Sequence, residues 1–240
     1  MDGFAAPVFL LFISLVPLIP AYVWFRIKKY GSLRFLLSVL AGVLTVLAAG
    51  LIQFVFPLDL SGQGQMKDLL FGVFIRVSLV EESSRVMVLF LLFYFIPYSK
   101  IIIKNEALPV SENREVFFFG APSGLVAGLG FAAGENIFYG LVNPGAVFLR
   151  FFTAVLHGAC GARIGAGLCQ VRRQPLRAFS QFFSAVLIHG TYNFCVLNPG
   201  IPWFLSIFIS LSALFSSLTS VYFGDPGLSA KPNNKETMKQ

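Results

Sequence analysis

Charge is what this chain has least of: Asp, Glu, Lys and Arg make up only 12% of its 240 residues, while 56% are hydrophobic and the mean hydropathy is +0.77. An ordinary soluble domain carries about 25% charged residues, so water is not this chain's main solvent. Cysteine is scarce too. Cys160, Cys169 and Cys195 lie in or at the ends of apolar segments, form no CxxC pair or metal-ligand spacing, and say nothing about redox compartment. There is no HExxH helix, and no internal repeat of the kind that marks many secondary transporters. No basic residue precedes the apolar run Phe4 to Phe25, which is too long for a signal-peptide core and is followed by Arg26, Lys28 and Lys29. A retained first helix is expected there.

What is present is one apolar window after another, each near the roughly 20 residues that span a bilayer. Helical segments are expected at about residues 4–25, 33–56, 68–98, 116–141, 146–170, 178–197 and 201–223. Pro17 and Pro20 should kink the first. The net charge of +7 does not point to nucleic acid, because the Lys and Arg gather in short clusters between apolar runs, where they orient helices. Arg26, Lys28, Lys29 and Arg34 follow the first segment, Lys100, Lys104 and Arg114 the third, Arg172, Arg173 and Arg177 the fifth, and Lys231, Lys235 and Lys239 the seventh. The other loops hold only Lys67 and Arg150. This alternation gives an all-α, polytopic transmembrane bundle of about seven helices, N-terminus outside and C-terminus cytoplasmic. A single membrane domain is expected over 1–230, followed by a polar, disordered tail at 231–240.

Small residues mark packing faces. Gly120, Gly124 and Gly128 recur every fourth residue in the fourth segment, Gly130 and Gly134 follow, and Gly161 and Gly165 recur in the fifth. The polar residues inside the apolar segments are more informative. Both histidines of the chain, His157 and His189, fall mid-segment, as do Glu81, Glu82 and Glu135. A charged group there costs about 2.5–3.5 kcal/mol on insertion scales, so such residues usually face a bundle interior and serve a function. At 100° per residue Arg85 projects between Glu81 and Glu82, while Arg76 points to the opposite side and is expected to snorkel. Asn136 adjoins Glu135, with Tyr139 one turn beyond, and Asn193 lies one turn from His189. At about 1.5 Å per residue, all of these fall in the middle or outer part of the membrane. Four helices are thus expected to converge on one polar cavity that opens away from the cytoplasm.

The elements Glu81-Glu82-Ser-Ser-Arg85, Phe131-Ala-Ala-Gly-Glu135-Asn136, His157 and His189-Gly-Thr-Tyr-Asn193 resemble the PrsW family of intramembrane proteases. The likeness spans roughly residues 70–197, and a catalytic core is expected over about 68–197. The related CAAX-processing and bacteriocin-processing enzymes space the Arg of their glutamate motif one residue further and carry F-x-x-x-H where this chain has Phe131 to Glu135. The resemblance implies an endopeptidase in a bacterial cytoplasmic membrane that cuts a membrane-anchored protein near its extracytoplasmic side. In the best-known members that protein is an anti-sigma factor.

Two mechanisms suit the residues. Without metal, Glu82 or Glu81 is the base, oriented by His157 or His189, with Asn193 or Asn136 donating to the oxyanion and Arg85 holding the other glutamate ionised. With zinc, His157, His189 and a glutamate, Glu82 or Glu135, form an open three-ligand site and a second glutamate is the base. Two histidines and three carboxylates exceed what the glutamate-only route requires, which favours the metal. A proton- or metal-coupled transporter would bury the same residue types, but it needs a polar path through both leaflets, and the inner halves of these segments are almost wholly apolar.

Overall fold

Pro17 has no amide hydrogen, and the chain breaks there: helix α1 (Ala5–Leu15) ends in a turn at Val16 and Pro17 before α2 (Leu18–Ile27) begins. A computed structural model describes residues 5–27, 30–56, 66–95, 110–142, 147–172 and 174–223. Among them every regular element is helical. Then follow α3 (Ser32–Val55), α4 (Met66–Phe71), a π-helical stretch (Gly72–Leu79), α5 (Val80–Phe95), α6 (Val110–Val142), α7 (Val147–Gln170), α8 (Pro175–Leu197) and α9 (Phe204–Phe223). The expected segments correspond to α1 with α2, α3, α4 to α5, α6, α7, α8 and α9. Lys28, Lys29, Lys100, Lys104, Arg173 and the tail 231–240 lie outside the described residues, as do the side chains of Arg114 and Tyr139.

Helix α3 is sorted the opposite way from a helix in water. Its buried stripe is small and partly polar, Ser38, Ala41, Gly42, Thr45 and Ala49, while Leu36, Leu40, Leu44, Leu47 and Leu51 are exposed. Lipid explains both faces: large aliphatic side chains are at home in hydrocarbon, and small ones let helices approach. Among the described residues two helices are long and apolar enough to cross a membrane, Ser32–Val55 at a mean hydropathy of 2.5 and Leu149–Gln170 at 1.2.

The glycines set the closest contacts. A Cβ at Gly120 or Gly124 of α6 would overlap the backbone carbonyl of Gly165 or Gly161 of α7, and one at Gly128 would overlap that of His157. Gly42 of α3 meets the α6 backbone at Ala127 and Gly130 in the same way. Helix α6 is thereby clamped between α3 and α7, which fixes the height of His157 against Phe131 and Glu135.

The helix that carries the paired glutamates was expected to be α-helical throughout. Instead the eight residues Gly72–Leu79 wind as a π-helix before α5 resumes the ordinary turn. The wider turn rotates everything N-terminal to it, so the 100° arithmetic that set Arg76 opposite the glutamates does not carry through this stretch. Arg76 is half-buried. The wider turn also brings the Phe74 ring against Gly190, the neighbour of His189.

Candidate active site

Helices α5, α6, α7 and α8 bring Glu81, Glu82, Arg85, Glu135, His157 and His189 into one buried cluster. Glu82, Arg85 and His157 are 0% exposed and His189 1%. Glu82 and Arg85, one turn apart on α5, form an ion pair through Glu82 Oε2. The other Glu82 oxygen accepts a hydrogen bond from His189 Nδ1 at 2.8 Å. A carboxylate only accepts, so Nδ1 carries the proton and Nε2 of His189 presents a lone pair. That lone pair faces Glu81 Oε2 at 3.6 Å, a buried oxygen with no hydrogen-bond partner. The other oxygen of Glu81 is 3.5 Å from the Gln53 amide of α3.

His157 is held in a parallel way. Arg85 Nη2 lies 3.2 Å from Nδ1, and a guanidinium can only donate, so Nδ1 is the acceptor. Nε2 therefore carries the proton and donates to Glu135 Oε2 at 2.9 Å. The two imidazoles meet edge to face with centroids 4.8 Å apart. Phe131 lies 4.6 Å from the His157 ring and 4.8 Å from the Arg85 guanidinium, so one aromatic side chain backs both.

One ligand atom each from Glu81, His157 and His189 lies within 4.8 Å of the others, a carboxylate with two imidazoles. That donor set suits a catalytic divalent ion. The orphaned Glu81 oxygen also suits it, since a buried carboxylate oxygen without a partner is costly unless a cation or proton satisfies it. Each histidine donates one ring N–H to a carboxylate, His189 to Glu82 and His157 to Glu135, as metal-ligating histidines do. On His157 the remaining nitrogen is occupied by the Arg85 guanidinium, a cation already seated on the lone pair that a metal would use. The sequence sets Glu82 or Glu135 beside the two histidines; in the structure Glu81 supplies the carboxylate of the group within 4.8 Å, while Glu82 contacts Arg85 and His189 and Glu135 contacts His157 and Arg150.

Asn136 makes no hydrogen bond to the cluster. Its amide nitrogen donates to Ser14 Oγ of α1 at 2.5 Å and contacts the Arg150 carbonyl at 3.4 Å. Asn193 is half-buried one turn from His189 and makes no hydrogen bond within the cluster. Arg150 approaches Glu135 at 3.7 Å, with side chains 17% and 18% exposed, which makes this pair the open edge of an otherwise closed site. Thr153 and Tyr192 share a hydroxyl hydrogen bond at 2.7 Å between α7 and α8, one turn from His157 and His189. Neither Thr153 nor Ser14 stood out in the sequence, because a hydroxyl in an apolar helix is common. A cavity of about 300 Å³ between α5, α7 and α8, lined by residues such as Val86, Ile164 and Phe182, is apolar and holds none of the expected site residues.

No curated protein and no solved structure matches the chain. A family model does, over residues 32–219, and its description is "PrsW family intramembrane metalloprotease". The match covers all four helices of the cluster, and the chain therefore belongs to the PrsW family of intramembrane metalloproteases and is a membrane-embedded peptidase.

Proposed function

We propose that this chain cleaves a membrane-anchored protein near its extracytoplasmic side, an anti-sigma factor being the leading candidate, with a divalent ion, by donor chemistry zinc, held by Glu81, His157 and His189. The observation that carries the ligand assignment is the arrangement of the two imidazoles. Each donates a ring N–H to a carboxylate, and one ligand atom of each lies within 4.8 Å of the other and of one from Glu81, whose Oε2 is buried without a hydrogen-bond partner. A bound ion of this kind polarises a carbonyl and lowers the pKa of its water to about 7.

The chain's own residues supply the rest. Glu82, fully buried between Arg85 and His189, fixes the His189 tautomer and orientation. Glu135 stands at the open edge with Oε1 turned toward Arg150, and it serves as the base that takes the proton from the attacking water and passes it to the leaving amine. Were His157 to hold the ion through Nδ1, Arg85 would have to leave that nitrogen, and its ion pair with Glu82 would keep the guanidinium charge neutralised. Asn193, one turn from His189 on α8, would donate to the developing oxyanion. Asn136 anchors α1 instead.

The open edge lies toward the α6–α7 connection. With loop charges as described, that connection is extracytoplasmic in a seven-span chain with its N-terminus outside. A test is metal analysis and cleavage on the same purified preparation, with single-span proteins as substrates. Close to one zinc per chain is expected, with loss of cleavage on chelation and recovery on adding Zn²⁺. Full cleavage by metal-free protein sinks the ligand assignment.

A further inference from the structure

Arg163 is an arginine that the proposed peptidase chemistry does not use. It lies on α7 between Ala162 and Ile164, both buried, within the span Leu149–Gln170. Its guanidinium joins three helices: Nη1 donates to Gln181 Oε1 of α8 at 3.0 Å, and Nη2 to Ser216 Oγ of α9 at 2.7 Å. Both acceptors are neutral. Among the described residues no carboxylate pairs with Arg163, and its Nε is buried without a hydrogen-bond partner. A neutral side chain could staple three helices at less cost, so nothing among the described residues accounts for the positive charge.

The position is matched in depth across the three helices. Arg163, Gln181 and Ser216 stand seven, six and seven residues from the ends Gln170, Pro175 and Phe223, which lie on one side of the bundle. At 1.5 Å per residue that is about 10 Å, within reach of a headgroup for a long, snorkelling side chain. All three residues are half-buried, so the site opens to the bundle surface. Arg172, Arg173 and Arg177 follow at the same end, which the loop charges make cytoplasmic.

We infer that Arg163, with Gln181 and Ser216, is a binding site for the phosphate of an anionic phospholipid of the inner leaflet. A guanidinium offers a planar fork of donors that matches phosphate oxygens. The bound lipid then neutralises Arg163, with which no carboxylate among the described residues pairs. This inference needs the membrane setting but not the peptidase reading, because its readout is lipid binding.

The test is native mass spectrometry of the full-length protein released from bilayers of equal parts phosphatidylglycerol and phosphatidylcholine. Wild type should retain the anionic lipid with an enrichment of roughly tenfold or more, the factor that one charge-assisted hydrogen bond supplies. Arg163→Gln should abolish the enrichment. Gln181→Glu should do the same while keeping the fold, because it gives Arg163 an internal partner, and this second variant decides the matter if the first is poorly folded. Arg163→Lys should retain part of it. No enrichment in wild type, or full enrichment in Gln181→Glu, overturns the proposal. Inorganic phosphate bound by lipid-stripped protein as tightly as the lipid would move the site to free phosphate and sink the lipid assignment.

Discussion

At the scale of single residues, the paired glutamates differ in what they touch. Glu82 is bound on both oxygens, to Arg85 and His189, while Glu81 keeps one oxygen bare. Glu81→Gln should therefore cost the protein its metal, measured by elemental analysis, whereas Glu82→Gln should weaken metal binding about 10–100-fold, the usual penalty for removing the partner of a ligating histidine. Equal metal loss in both would erase the distinction. Glu135→Gln should retain the metal and lose cleavage by at least about 10²-fold, because it removes a proton acceptor and leaves the ligands in place. The sequence made the three glutamates, Arg85 and the two histidines legible as one cluster, since charged groups in apolar helices have few places to hide, but it also grouped with them Asn136 and Asn193, which make no hydrogen bond to it. It did not make the pairings legible. Glu81 and Glu82 lie 100° apart on one helix, and which of them meets a given imidazole depends on a few ångströms of helix rotation that only packing decides.

At the scale of elements, the α6–α7 contact is the most constrained surface in the molecule, with Gly120, Gly124 and Gly128 meeting the backbone of the facing helix. Gly124→Val should separate the two helices and lower stability by about 1–3 kcal/mol or more, seen as a drop in Tm in detergent. Cleavage should fall with it, because His157 and Glu135 ride on opposite sides of that contact. A variant with wild-type Tm would show that the backbones do not touch. The recurring glycines predicted this face directly, since small residues at every fourth position leave little else to do. The π-helical stretch Gly72–Leu79 had no such signal, because no residue type in it marks a wider turn.

At the scale of the whole molecule, the alternation of basic loops is the main guide to sidedness, and α3 adds a face of exposed leucines opposite a buried stripe of small and polar side chains. Reporter fusions after Lys104 and Arg173 should read cytoplasmic, and fusions near Ser61 and Asn198 extracytoplasmic. A cytoplasmic signal at Ser61 would invert the bundle and put the open edge of the site on the wrong side for an extracytoplasmic substrate. The helix order and the kink at Pro17 followed from hydropathy and proline chemistry. Long-range ties such as Arg163 to Ser216 did not, because nothing local in a sequence says which of several serines an arginine will find.

The hydrogen bond from Asn136 to Ser14 reaches beyond the family's own boundary. The family match starts at residue 32, so a truncation designed on that boundary would keep every acid, base and imidazole of the cluster and still discard the hydroxyl that holds the residue beside Glu135. Shortened protein lacking residues 1–31 should insert and bind metal, yet turn over substrate more slowly than full-length chain, and Ser14→Ala should reproduce part of that loss. The leading helices are then working parts of the enzyme, and expression tags or fusions placed there should be expected to carry a kinetic cost.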